Sequence, residues 1–600
     1  MIRTMLDALL VLLAFSLPFE IIHPVLVLPW FEFTNLELVA LACIAVWVYR
    51  AGARSFAAMR ASSVRSRAEA VWLELRTRPV VWLPLAFLAL SVLSGALAPV
   101  GRADALKFAT RVATGTAVFW MLIDTVRSRP LMTAILWALL AGAGVSSVVG
   151  LGEGLEWPHV ASLLPLFKDA PTRIGGELRV GASFQYATMA AIYFEMTALV
   201  ALGLAANART RPSRGLALLV GLLCTANVVL SQSRAGIVTL ALLLVLLLGL
   251  AWRRPRLRPL APPALLALGT LSAVTAGLAW RTDAFRTRLL TEDDLGWYGA
   301  EYAVPPALRM RAGEPFPVLI GVENTGAIRW HTTGEHPFAL GYYWLTEDGR
   351  PIGGGHLEAP LPGPVPPGDS VRVAVSLRPS LPPGDYRLVW GMLQRQILWF
   401  RHRGVPEGQT AVRLDPGTFV GPPPVDTASG VPPGGAMPSL PATVRRLDLW
   451  TAAARMWLER PLLGIGPDNF RHLYGRYLGL DDWDRRLHSN SLYLELLAGW
   501  GLAGTLVFVG FAVLVLRLSL PTRRRIGPAS ALQSVTLGAS FLAFFVHGSL
   551  DYFLPFVPLY LLFWMVAGLI VVAARTTAEE RTGSDGAQLG SSRWPTRGVT

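Results

Sequence analysis

Stretches such as Ile237–Leu250 and Leu559–Val572 run on without a single charged side chain. Backbone at membrane depth finds no water to hydrogen-bond, so runs this long and this apolar are restricted to helices that satisfy their own polar groups. The rest of the composition agrees: hydrophobic residues make up 52% of the 600, charged residues 16%, and the mean hydropathy is +0.45. Charge, Pro and Gly collect instead between Arg281 and Leu487. The chain therefore reads as an all-α polytopic membrane protein with a different kind of domain inserted near its middle.

About twelve spans are expected, near 5–28, 34–49, 80–98, 104–124, 131–152, 181–206, 215–231, 236–252, 260–280, 489–516, 531–547 and 555–574. Met1-Ile2-Arg3 and the apolar run from Leu6 lack an A-x-A cleavage pattern and are taken as the first membrane helix, not a signal peptide. The arginines then set the orientation. Arg50, Arg54, Arg60, Arg65, Arg67, Arg76 and Arg78 follow the second span, and Arg127 and Arg129 the fourth. Arg209, Arg211 and Arg214 follow the sixth, Arg253, Arg254, Arg256 and Arg258 the eighth, and Arg517, Arg523, Arg524 and Arg525 the tenth. The positive-inside rule makes these loops cytoplasmic, with both termini on that side and residues 281–487 outside, as in a bacterial inner membrane.

The net charge of +14 comes almost wholly from arginine in such loops; Lys107 and Lys168 are the only lysines. No soluble segment shows a basic stripe interleaved with aromatics, which argues against nucleic acid as a partner. Cys43 and Cys224 fall inside spans and read as small packing residues.

The domain plan follows. Residues 1–280 form a bundle of about nine helices, and 281–441 an extracytoplasmic insert. Residues 442–488 hold an amphipathic helix and loop, 489–575 the last three spans, and 576–600 a disordered cytoplasmic tail. Within the insert, 315–323, 338–346, 370–377 and 386–392 have strand length and apolar patterning. Turns at Asn324-Thr325-Gly326, Glu347-Asp348-Gly349, Pro367-Gly368-Asp369 and Pro383-Gly384-Asp385 separate them. A β-sandwich over about 297–415 is expected, similar to the immunoglobulin-like modules of bacterial glycan enzymes, with a Pro- and Gly-rich linker over 416–441. Trp330, Tyr342, Tyr343 and Trp344 are candidate glycan contacts there, although sandwich core is the commoner fate of such aromatics. Leu447, Trp450, Ala454, Trp457 and Leu458 recur at helical spacing and suggest a helix lying on the membrane surface.

Three outer-face features invite chemistry. Ser231-Gln232-Ser233-Arg234 places polar groups between two apolar runs, which suits either a bound group or an arginine snorkelling to water. Arg179-Val180-Gly181-Ala182-Ser183-Phe184 sets a cation where the sixth span begins, beside helix N–H groups that also favour anions. The third runs from Pro461 to Phe470 and contains Gly464, Gly466 and Asn469; His488, Asn490 and the run to Glu495 follow it. Its glycines permit tight turns or close approach to a ligand. His488 would relay a proton, or the segment would merely cap a helix through Ser489 or Asn490. Asp481, Asp482 and Asp484 read as a solvated acidic loop.

Taken in order, these elements resemble the O-antigen ligase family, which includes related polymerases and protein O-oligosaccharyltransferases. The resemblance rests on Leu449-Trp450, Pro461 to Gly466, Asn469-Phe470, His488 to Leu497 and Gly501-Leu502-Ala503-Gly504. To these add the S-x-S-R element at 231–234, the R-x-G-x-x-F element at 179–184, and His547 to Asp551 as a last outer loop. It implies a glycan transferase that moves a glycan from an undecaprenyl-pyrophosphate carrier to a lipid or glycan acceptor, such as lipid A-core, without metal or other cofactor. Arg179 and Arg234 would clamp the pyrophosphate, and His488 would deprotonate or orient the acceptor hydroxyl. Ser231, Ser233, Gly464, Gly466, Asn469 and Asn490 would support them. One departure stands out. The family's histidine aligns with Asn490, two residues after His488, so His488 can take that role only where the segment is still loop. Two alternatives stay open: a polymerase joining lipid-linked repeat units, and a transporter, for which Glu195 and Asp124 are the intramembrane hints.

Overall fold

A computed structural model describes residues 2–29, 31–59, 79–174, 177–291, 296–333, 336–395, 397–418, 444–520 and 528–589. The expected cytoplasmic Arg60, Arg65, Arg67, Arg76, Arg78 and Arg523–Arg525, most of the 416–441 linker and the last residues of the tail lie outside these. Two compact units result: Met1–Thr172, Arg179–Ala276 and Val444–Thr600 make one, Arg173–Leu178 and Gly277–Thr443 the other.

The first unit is helical. Its early helices are α1 (Ile2–Ser16), α2 (Asn35–Met59), α3 (Pro79–Ala96), α4 (Arg102–Thr125), α5 (Arg129–Gly154) and the one-turn α6 (Pro158–Ala161). Next come α7 (Ala187–Asn207), α8 (Arg211–Leu230), α9 (Arg234–Arg253) and α10 (Ala261–Arg281). After the insert, which holds the short α11 (Asp283–Leu290), follow α12 (Arg446–Glu459), α13 (Phe470–Leu478), α14 (Leu492–Ser519), α15 (Pro528–His547) and α16 (Val557–Leu589). Among the described residues, eleven helices are long and apolar enough to cross a membrane, so this is a multi-pass membrane protein.

The expected first span needs correcting. The helix α1 has 15 residues and stops at Ser16, about 22 Å of rise against the ~30 Å of a bilayer core. Pro18 cannot donate to the carbonyl four residues earlier, and Leu26–Val27 then pairs back on Glu32–Phe33 as β1 and β2; a second short hairpin joins β3 (Thr172–Ile174) to β4 (Glu177–Arg179). At the other end α16 continues to Leu589, past the expected limit near 575.

Helix α7 sits at the centre, with 94% of its most apolar window buried. Small residues allow that density. Gly203 faces Thr536 of α15, and Gly221 of α8 meets Ala201, so the backbones approach closely. Helix α14 is broken at Gly501, whose φ of 64° and ψ of −167° fit no helix.

In the second unit β6 (Ala307–Arg311), β13 (Gly408–Asp415), β11 (Gly384–Gln394), β8 (Phe338–Thr346) and β9 (Pro351–Pro360) lie side by side in that order; β12 (Leu398–Trp399) adds to β11. A second sheet orders β10 (Ser370–Leu377), β7 (Phe316–Glu323) and β5 (Glu301–Ala303). One buried cluster draws Ile320, Val322, Val373 and Val375 from the small sheet and Leu340, Leu388, Trp390 and Val412 from the large one. In β10 the pattern is the strict alternation of a half-buried strand: Val373, Val375 and Leu377 point in while Arg372, Ala374 and Ser376 point out. Trp330 and Tyr342 belong to this core. Tyr343, one residue on and hence on the opposite face, meets Trp399 edge-on at 6.1 Å.

The expected amphipathic helix is α12. Leu449, Ala452, Ala453 and Met456 of α12 are its buried side, packed with Phe470, Leu473, Tyr474 and Ala498, whereas Leu447 and Leu458 are exposed. Both stripes are apolar, so periodicity alone did not choose between them.

Candidate functional site

The site elements gather at one end of the bundle. The R-x-G-x-x-F stretch is a turn that precedes α7, not its first residues. Glu153, at the end of α5, accepts the N–H groups of Gly181 (2.9 Å) and Ala182 (2.7 Å) on one carboxylate oxygen and pairs with Lys168 (2.7 Å) through the other. All of this is buried. Burial pulls the Lys168 pKa below the ordinary lysine value, against the opposing pull of Glu153. Adding a Cβ at Gly181 would put it 2.8 Å from the Lys168 nitrogen, so a larger residue there would push on the Lys168–Glu153 pair.

From that turn Arg179 reaches the S-x-S-R element. Its Nε donates to the Ser231 carbonyl at 3.0 Å, and the Val180 N–H donates to the Leu230 carbonyl at 3.1 Å. Arg179 thus sits on the C-terminal carbonyls of α8, the negative end of a helix, and not beside the N-terminus expected from sequence. Ser231 is buried, closes α8 and donates to the Val228 carbonyl. Ser233 is the N-cap of α9, accepting the Gly236 N–H at 3.3 Å. Arg234 is the first residue of α9 and adds its charge to the positive end of that helix, a combination that favours an anion nearby.

Ser233 also touches a residue that sequence reasoning left without a role. His547, at the end of α15, is fully buried. Its Nδ1 lies 2.8 Å from Glu195 of α7; its Nε2 lies 3.4 Å from both Asp551 and the Ser233 hydroxyl. Glu195, read as a transporter hint, therefore has an ionisable partner across the bundle. The loop after His547 in turn receives the Leu492 N–H on the carbonyls of Gly548 (2.7 Å) and Asp551 (3.1 Å).

That contact leads to His488. The stretch 488–491 is not helical; α14 begins at Leu492 with Ser491 as N-cap, so neither Ser489 nor Asn490 caps it. The condition for His488 to act in place of the residue two positions later is thereby met. His488 Nδ1 lies 3.3 Å from Glu495, its Nε2 3.9 Å from Asp468, and its ring 5.1 Å from that of Tyr552. Burial disfavours a charged ring, but Glu495 and Asp468 outweigh it and hold the His488 pKa above the ordinary value. Asp468 is held by Arg471 at 2.9 Å.

Gly464, Gly466 and Asn469 do something other than approach a ligand. A Cβ on Gly464 would lie 2.4 Å from the Ala498 carbonyl oxygen. The N–H groups of Ile465 and Gly466 donate to the carbonyls of Ala498 and Gly499, and those of Leu502 and Ala503 to Pro461 and Leu462. The glycines let this loop lie against the break in α14. Asn469 ties the same loop to the turn before α4, donating to the carbonyls of Val100 (2.7 Å) and Ile465 (2.9 Å).

Backbone strain marks the same places. Among the described residues, the non-glycine ones with φ between 49° and 62° are Glu156, Ala182, Gln232, Asp468 and Asn490, and all but Glu156 lie within the motif elements. Such conformations cost of order 1–3 kcal/mol each and persist where the surroundings enforce them.

Beside the R-x-G-x-x-F turn opens a cavity of about 750 Å³, lined by Ser183, Phe184, Gln185, Lys107, Arg111 and Glu20 among others. Arg179 and Arg234 are not among its lining residues. Its cations, Lys107 and Arg111, stand one turn apart on α4. The signal that would have revealed them is a lysine and an arginine four residues apart inside a span, which lipid would not tolerate. Burial pushes the Glu20 carboxyl up to about 7, a hydrogen bond from Thr34 opposing.

The O-antigen ligase family model matches residues 434–509, the stretch that carries Gly464, Gly466, Asp468, Asn469, His488 and Glu495. No curated protein matches the chain. Among solved structures, the Pseudomonas fluorescens alkylpurine DNA glycosylase AlkC bound to DNA containing an abasic site analog aligns over 53% of this chain and 84% of its own, at 13% identity. Its TM-score of 0.14 carries no argument about fold or function. The family match supports a membrane glycan transferase of the O-antigen ligase or polymerase type.

Proposed function

We propose that the chain transfers a glycan from a polyprenyl-pyrophosphate carrier to an acceptor hydroxyl at the outer face of the bacterial inner membrane, in the manner of an O-antigen ligase. The observation that carries this reading is a set of contacts that ties the motif elements to one another: Arg179 to Ser231, Ser233 to His547, the loop after His547 to the Leu492 N–H, and His488 to Glu495, the last two within the matched stretch. Elements scattered over more than 300 residues thus meet at one end of the bundle, which supports a shared site.

The chemistry required is modest. The bond from the sugar's anomeric carbon to the pyrophosphate oxygen breaks, and the acceptor oxygen forms the new one. Its proton goes to a base, and the electron pair leaves with the pyrophosphate. Stabilising the charge that grows on a leaving group is often the largest catalytic term. Lys107 and Arg111, which line the cavity together with Glu20, Glu32 and Glu37, would meet the pyrophosphate there, and Arg179, fixed by Ser231, and Arg234, at the positive end of α9, would stabilise the leaving charge from outside that lining. His488 in its neutral form would take the acceptor proton, and Glu495 would stabilise the imidazolium that results.

A strain lacking this chain, complemented with wild type or Arg234→Ala, tests the proposal. Full-length glycan should accumulate on its lipid carrier without the gene and with the variant, and disappear with wild type. Accumulation of single repeat units would indicate a polymerase. An unchanged glycan profile would remove the transferase reading altogether.

A further inference from the structure

Helix α1 stops midway along its neighbour. The backbone of Phe15, in its last turn, packs so closely on Gly142 of α5 that no Cβ would fit between them. At ~1.5 Å of rise per residue, Gly142 lies about 18 Å short of Gly154, where α5 ends beside the site elements. Helix α2 begins at a matching depth. Its Trp47 donates to Asp124, near the far end of α4, at 3.0 Å. Counting back along both helices puts Asn35, the first residue of α2, about 15 Å short of Arg102, where α4 starts. Two separate helix pairs thus agree. The segment between α1 and α2, residues 17–34, leaves and rejoins the helices near mid-membrane, on the side that carries the site.

Non-helical backbone at such depth persists only where protein or a hydrated cavity satisfies it. Here both do. The Asn35 side chain donates to the Phe19 carbonyl (2.7 Å) and accepts the Ile21 N–H (3.0 Å). The Ile22 N–H donates to the Leu166 carbonyl at 3.1 Å, and the Val25 N–H to the Phe33 carbonyl at 2.9 Å. Leu26 and Val27 pair with Phe33 and Glu32. Glu20, Ile22, Leu28, Phe31 and Thr34 line the cavity of about 750 Å³ that also holds Lys107 and Arg111. Val25, Leu26 and Val27 do not line it, and they are 41–64% exposed. From Ile22 the bare apolar surface continues to Leu166, Leu163, Trp157 and Leu155, all exposed. Tryptophan among aliphatic residues is what the boundary of a membrane favours.

From this arrangement we infer that residues 17–34 form a re-entrant lip set into the leaflet at the site end, with Val25, Leu26 and Val27 against lipid acyl chains and the other side walling the cavity. The depth of the segment selects the occupant, because acyl chains fill that level around the bundle. A ligand that enters the cavity past the lip can leave its own hydrocarbon among those chains. The placement follows from helix lengths and contacts, so it stands or falls separately from the transfer reading.

The test uses the full chain in phosphatidylcholine vesicles. Cys43 and Cys224 are buried, so a spin label goes to an introduced thiol. Leu26→Cys and Val27→Cys carry the label in turn. Leu242→Cys, exposed on α9, serves as the lipid reference, and Arg309→Cys, exposed on the β-rich unit, as the water reference. Labels at 26 and 27 should favour collision with oxygen over a water-soluble nickel chelate severalfold more than the label at 309, approaching the ratio at 242. A ratio equal to that at 309 would place the hairpin in water and overturn the lip. Shielding from both reagents would show protein packed on this face, and would overturn it equally.

Discussion

The two units bury polar groups in opposite styles. In the β-rich unit the fully buried polar side chains are neutral. Asn324, for example, donates to the carbonyls of Ile328 and Val365 and accepts the Gly326 N–H, an anchor for a turn and nothing more. Its ion pairs range from exposed ones, such as Arg413 with Asp385, to half-buried ones, such as Arg401 with Glu407, and its described residues with positive φ are all glycines. The helical unit buries whole ionisable pairs, Lys168 with Glu153 and His547 with Glu195, and forces Ala182, Gln232, Asp468 and Asn490 into left-handed backbone. Desolvated charge and strain are expensive, and they sit where the motif elements meet. One unit is relaxed into its fold; the other stores the cost of a site.

Mutations can break that contrast. The largest effect should come from Glu153→Ala, which strands the Lys168 charge and frees two N–H groups. It should cost about 3–5 kcal/mol, read as a lowered unfolding midpoint in detergent. A midpoint close to wild type would mean the pair is not what holds the turn. Next, Arg234→Ala should reduce transfer by about 10²–10³-fold with the midpoint preserved, and Arg234→Lys should restore little because a point charge lacks the fork.

A subtler effect concerns pH. Glu495 and Asp468 raise the His488 pKa, so the neutral, base-competent ring appears only as pH rises through that elevated value. Glu495→Gln should lower the pKa and move the acidic limb of the pH–rate profile to lower pH; a limb that stays put would exclude His488 as the titrating base. The same shift has a stability side. The raised pKa stabilises the fold below the ordinary histidine value, and that contribution is lost as pH climbs through the raised one. Smallest of all, Arg309→Ala on the β-rich unit removes an exposed pair with Asp415 and should leave midpoint and transfer unchanged. A clear loss of transfer there would erase the distinction between the units.

Much of this was legible in the residues. Apolar runs bounded by arginines located most helices to within a few positions, and alternation with Gly-Asp and Pro-Gly turns located β7, β8, β10 and β11. The Gly-rich β9 was missed because Gly353, Gly354 and Gly355 carry no strand preference. Glu195 and His547 stand 352 residues apart, and no local pattern encodes their meeting. Likewise α12 has apolar side chains on more than one face, and in a membrane protein lipid and protein select for the same residue types. Sequence periodicity says that a face is apolar, not what covers it. The role of Gly464 and Gly466, a tight turn or a ligand's approach, stayed open for a related reason: a glycine records that something comes close, but not whether it is ligand or backbone.

The break at Gly501 also bears on biogenesis. The carbonyls of Ala498 and Gly499 and the N–H groups of Leu502 and Ala503 are satisfied by residues 461–466, which leave the ribosome before α14 does. When this helix enters the bilayer, the segment that completes its hydrogen bonding has already been made. Assembly in chain order thus never requires those four groups to wait bare in lipid, where each would cost several kcal/mol.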